Sequence, residues 1–102
     1  MSHPRHWWYT DIKRAIMRSP SFRFRTEPEY QRYTEAIDKA LADVKTMNNA
    51  NERLYAINEV LIKKTLTIDG VALRTNYSWR VVQKWINDFV NSVGKYKGFE
   101  SD

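Results

Sequence analysis

Apolar side chains recur along this chain at helical spacing in several separated runs. In residues 6–18, Trp8, Ile12 and Ile16 stand at i, i+4 and i+8, one stripe of an amphipathic helix. Pro20 stops it, because the residue before a proline is pushed out of the α region. The following SPSFRFRTEP, residues 19–28 with two prolines, reads as a loop. Thr26 and Glu29 then have capping-box spacing, with Pro28 in the first turn. Behind them Tyr30, Tyr33, Ile37, Ala40, Leu41, Val44 and Met47 predict the strongest helix of the chain. Glu35, Asp38, Lys39, Asp43 and Lys45 form its solvated face.

NNAN (48–51) interrupts the pattern, and Asn49 or Asn51 can cap the next helix. Residues 52–66 place Leu54, Ile57 and Leu61 on one row with Val60 beside it, a shorter and more fully buried helix. Thr67 or Asp69 is the next cap candidate. IDGVALRTN (68–76) holds only two turns, and Asn76 suits a tight turn because Asn tolerates positive φ. Ser78 caps the last helix, where Val82, Ile86, Phe89 and Val93 form a stripe beside Trp85 and glycines 94 and 98 lie near the end. FESD reads as a frayed tail. The fold class expected is all-α with about five helices. Residues 1–102 form one domain, a helical pair over 1–48 followed by a helix-turn-helix unit over 51–97.

Composition and charge narrow the function. Fourteen per cent of the chain is aromatic and no cysteine is present, so thiolate metal sites and cysteine nucleophiles are excluded. No apolar run approaches a bilayer-spanning length and no leader pattern is seen; the expected location is the cytoplasm of a bacterial host. The net charge is +5, unevenly spread. Residues 1–25 hold six basic and one acidic residue, and residues 63–84 five basic and one acidic, around an acidic middle. That favours a polyanionic partner. His3 and His6 stand alone at the start of the chain, so no metal and no cofactor is expected. The carboxylates show no acid–base pairing, and no phosphate loop or nucleophile triad is visible; the chain does not read as an enzyme.

Residues 68–87 fit a helix-turn-helix, two helices crossing steeply through a short turn. Ala72 is the small residue needed where the helices cross, with Val71 beside it. Asn76 makes the turn, Tyr77 anchors it and Ser78 caps the second helix. Val82, Trp85 and Phe89 face inward. Thr75, where an apolar residue is usual, and Gly70 fit less well. The outward face of the second helix is then Trp79, Arg80, Gln83, Lys84 and Asn87. Such a face reads bases in the major groove, Arg suiting guanine and Gln or Asn suiting adenine. Ser78 at the helix start, with Lys63, Lys64 and Arg74, would contact phosphates. In the N-terminal half Trp7, Phe22, Arg23 and Arg25 mix aromatic and basic character and suggest a surface for a protein partner.

The run VALRTNYSWRVVQKWINDFVNSVGK resembles the C-terminal helix-turn-helix of RinA/ArpU-type phage late-transcription regulators, a group related in form to the promoter-reading region 4 of sigma factors. Tyr77, Ser78, Arg80, Val82 and Trp85 carry the resemblance, which covers roughly residues 52–96. It implies sequence-specific binding of double-stranded DNA and activation of late genes of a phage or mobile element. It also implies RNA polymerase or another regulatory protein as a partner, and a homodimer would extend the short site that one helix can read. Two other readings fit the residues: the DNA-recognition part of a phage small terminase, and a basic helical adaptor that binds an acidic protein.

Overall fold

The computed structural model describes residues 8–20 and 26–98, and all regular structure among them is helical. Five α-helices follow one another: α1, Tyr9–Arg18; α2, Gln31–Val44; α3, Ala50–Ile57; α4, Ile68–Thr75; and α5, Trp79–Lys97. The two stretches expected as a helical pair and a helix-turn-helix unit share one core. The long α5 is its axis, and α1, α2, α3 and α4 all pack on it. Trp8, Ile12 and Ile16 of the first run meet Ile37, Ala40 and Val44 of the second, and Ile57, Leu61, Val71, Ile86, Phe89 and Val93 of the rest. Each large apolar side chain so buried contributes about 1.5–3 kcal/mol against exposure. Of the apolar face of residues 30–47, Ala36, Ile37, Ala40 and Val44 are buried inside the monomer, Tyr30, Tyr33 and Leu41 are half-buried and Met47 is exposed.

Local chemistry explains most element ends. The Thr26 box does not begin α2. A 3₁₀ turn, Pro28–Tyr30, leads into it with Glu27 in the N-cap place and no side-chain cap. Proline fits that first turn because its missing N–H would have no helical partner. Asn49 precedes α3 in a left-handed conformation and supplies no cap bond. Its side chain turns instead to the hydroxyl of Tyr77, which donates to Oδ1 at 3.4 Å.

The helix expected over 52–66 is not one α-helix. It widens into a π turn, Asn58–Ile62, closed by the N–H of Lys63 on the carbonyl of Asn58 at 2.7 Å. Lys64 then turns left-handed at φ 58°. The N–H groups of Thr65 and Leu66 fold back onto the carbonyl of Glu59 at 2.9 and 3.2 Å, occupying a carbonyl that a helix end leaves open. Val60, Leu61 and Ile62 keep the stretch apolar in sequence, so periodicity alone does not reveal the break.

Gly94, which the sequence places simply near the end of α5, is buried within the helix under the six-membered ring of Trp8. Gly98 ends the helix at φ 111°, a conformation that costs a residue with Cβ far more than glycine.

Candidate nucleic-acid interface

The turn between α4 and α5 is built from the residues its sequence suggests. Thr67 opens α4, its Oγ1 accepting from the N–H of Gly70 at 3.1 Å. Asn76 ends α4 at φ 62° and ψ 18°, left-handed. Ser78 opens α5, its Oγ accepting from the N–H of Val81 at 3.3 Å. Thr75 fits its half-buried place because its hydroxyl donates back to the carbonyl of Val71 at 2.8 Å, which satisfies the polar atom inside its own helix. Gly70 is not a close-approach site, since a Cβ there would meet Leu66 at an ordinary 3.4 Å.

Behind the turn, Val71, Val82, Trp85, Ile86 and Phe89 are buried, with Ala72 and Tyr77 packed at the edge of the core. Tyr77 meets Trp85 edge-on, with ring centroids 4.8 Å apart. The guanidinium of Arg53 also lies 5.9 Å from the Trp85 ring centroid. Trp85 is therefore a packing residue held from two elements.

The five side chains expected on one outward face of α5 divide into three groups. Trp79 and Arg80, at the capped start, are exposed, and half of the Trp79 surface is open to solvent at 50 %. Among the described residues Arg80 makes no hydrogen bond or ion pair. Lys84 is also exposed, but its ammonium sits 2.9 Å from the carboxylate of Asp88. Gln83 and Asn87 do not belong to the free face. Both are half-buried; the amide of Gln83 donates to Asn87 Oδ1 at 2.9 Å, and the hydroxyl of Tyr9 donates to the same oxygen. The reason is tertiary: α1 packs along this side of α5, which helical spacing within α5 alone cannot show.

The expected phosphate contacts are equally varied. Arg74, in the last turn of α4, is exposed and carries no ion pair among the described residues. Exposed Lys63 lies 3.5 Å from the half-buried Glu59 one turn before it, a pair worth a few tenths of a kcal/mol. Lys64 has a structural partner: its ammonium donates to the carbonyl of Met17, at the end of α1, at 2.7 Å. Ser78 keeps its hydroxyl proton, because the cap uses only its oxygen as acceptor. Trp7, Phe22, Arg23 and Arg25 lie outside the described residues.

Asp88, Arg53 and Leu73, which the sequence reading does not single out, also shape this surface. Asp88 faces Lys84 and also Arg53, whose guanidinium is 3.5 Å away, so one carboxylate restrains two cations. Leu73, beside Arg74 on α4, is 82 % exposed. Periodicity does not mark it, since a solvent-facing leucine on a two-turn helix looks like a core position.

Among the described residues no three His, Asp or Glu side chains come together as a metal site, and no helix is long and apolar enough to cross a membrane. Compared with protein-family models, curated proteins and solved structures, the chain has no match.

Proposed function

We propose that this chain is a sequence-specific double-stranded DNA-binding regulator, with the start of α5 as its recognition element. The observation that carries the reading is the pairing of a helix-turn-helix turn with unneutralised cations at its open end. A left-handed Asn76 and a Ser78 cap present α5, while Arg80 at its start and Arg74 before the turn have no anionic partner among the described residues. A helix N-terminus with free N–H groups and adjacent guanidinium groups complements phosphate and the acceptor edge of guanine. Trp79 and Arg80 take the base-reading places, Lys84 joins them once released from Asp88, and Ser78, Lys63 and Arg74 contact the backbone. Gln83 and Asn87 contribute indirectly, by holding α5 against Tyr9. Regulation of phage or mobile-element late genes is the setting that the Tyr77–Trp85 resemblance suggests.

The test is retention of DNA fragments from the source element by the purified chain at two salt concentrations. The parent protein should select a discrete fragment at the higher salt. Arg80→Ala combined with Lys84→Ala should abolish that selection and leave the helical circular-dichroism signal unchanged. Specific binding that survives both substitutions would show that α5 does not read the DNA.

A further inference from the structure

A second basic site lies away from the turn. Asp11, Arg14, Ala15 and Arg18 follow one another at i, i+3, i+4 and i+7 along α1 and form one wall of an open cleft of about 210 Å³; Tyr30 and Tyr33 form the other. Arg14 and Arg18 are exposed and one turn apart, and neither has a hydrogen bond or ion pair among the described residues. Their like charges repel one another, so a bound anion would stabilise both. Lys97 adds a third cation, its ammonium 4.7 Å from the centroid of the Tyr33 ring. Among the described residues Asp11 is the one carboxylate in the lining. It lies close enough to Tyr33 to act on its phenol, which burial first and the Asp11 charge second raise above its ordinary pKa.

We propose that this cleft binds an acidic peptide segment of a partner protein, with Arg14 and Arg18 holding a carboxylate and Asp11 meeting backbone N–H groups. Two guanidinium groups match carboxylates in bidentate geometry. The paired tyrosines supply apolar walls with little conformational entropy to lose. The presence of Asp11 decides between ligands. A phosphodiester backbone offers acceptors only and would be repelled by that carboxylate, whereas a peptide brings N–H donors beside its acidic side chains. Position agrees: Lys97 marks the opposite end of α5 from Trp79, about 27 Å away at 1.5 Å per helical residue. The proposal does not rest on DNA binding at the turn.

The experiment titrates the ¹⁵N-labelled full chain with an acetylated hexaglutamate peptide and, separately, with a short DNA duplex. The peptide should move the amide signals of Arg14, Arg18, Tyr30 and Tyr33. Arg14→Gln with Arg18→Gln should weaken it by about tenfold or more, with Arg14→Lys and Arg18→Lys intermediate, and all variants should keep the parent unfolding midpoint. Arg80→Ala with Lys84→Ala should bind the peptide as the parent does. The proposal is overturned if the peptide leaves these signals unmoved, if the duplex moves them at lower concentration than the peptide does, or if Asp11→Ala tightens the peptide, which would mark a mere anion patch.

Discussion

Trp8 lies directly over Gly94. A Cβ built on that glycine would stand 2.3 Å from Cζ3 of the indole and 2.6 Å from Cη2. Trp8 is 1 % exposed, so it has no room to withdraw. This contact seats α1 on α5, and the hydroxyl of Tyr9 on Asn87 fixes the same junction one residue further on. Glycine is normally a poor choice inside a helix, by about 1 kcal/mol against alanine; here the close approach reverses the preference. Gly94→Ala is expected to lower stability by about 1–3 kcal/mol, the usual cost of overpacking. Urea unfolding followed by tryptophan fluorescence measures it. Combined with Trp8→Ala, the loss should be smaller than the sum of the two single losses, because the clash is removed with the indole.

Lys63 and Lys64 are neighbours with different duties. Among the described residues Lys63 reaches only Glu59 and projects into solvent, whereas Lys64 ties its left-handed loop to the end of α1 through Met17. If the turn binds DNA, Lys63→Ala should weaken all sequences alike and lower the slope of log affinity against log salt by about one unit. Lys64→Ala should instead lower folding stability by about 0.5–1.5 kcal/mol. Lys64→Gly should recover about 1 kcal/mol of that loss by relieving the positive φ. Thermal unfolding of the three variants separates the cases; equal stability of the Ala and Gly variants would contradict the backbone account.

Asp88 holds Lys84 back along α5 and shares its charge with Arg53. If the start of α5 reads DNA, a carboxylate this close to the contact also repels phosphate. Asp88→Asn should therefore raise DNA affinity by about threefold to tenfold at low salt, with the gain shrinking as salt screens it. Fluorescence anisotropy with a labelled duplex gives the answer. An unchanged or weaker affinity would place Lys84 outside the contact.

Alkaline stability should depend on the tyrosines that face Asp43 and Asp11. The hydroxyl of Tyr96 donates to the Asp43 carboxylate, and that hydrogen bond, followed by desolvation and the charge of Asp43, holds its pKa above the ordinary 10.0. Tyr33 is raised as well, by burial first and then by Asp11. Both phenols bind their protons more tightly folded than unfolded. Their contribution is fully present below about pH 10 and fades as the pH rises through the folded values. Tyr96→Phe should flatten the fall in unfolding midpoint above pH 10 while leaving its shape near pH 7 unchanged.

Much of the architecture was legible because periodicity and caps are local properties. Trp8, Ile12 and Ile16, and later Val82, Ile86, Phe89 and Val93, declare their faces by spacing alone, and all seven are buried. Thr67, Asn76 and Ser78 declare their roles by side-chain chemistry within three residues. The π turn after Ile57 was not legible. It changes the hydrogen-bond step without changing the apolar character of Val60, Leu61 and Ile62, so hydropathy carries no trace of it.

The candidate site shows the same division more sharply. The turn, its cap and the inward trio of Tyr77, Val82 and Trp85 follow from the order of residues. Which outward residues stay free does not. Gln83 and Asn87 have the side chains of adenine readers and the right spacing, yet α1 covers their side of α5 and Tyr9 engages Asn87. Lys84, unlike Arg80, has a carboxylate one turn on in its own helix, a spacing already visible in the sequence, but that this Asp88 also faces Arg53 from α3 is not. The sequence alone determined an all-helical chain with an Asn76–Ser78 turn presenting a basic, tryptophan-bearing helix, because those properties depend on neighbours in the chain. Only the tertiary structure decided which face of that helix remained open, because burial and charge pairing depend on elements brought together from tens of residues away.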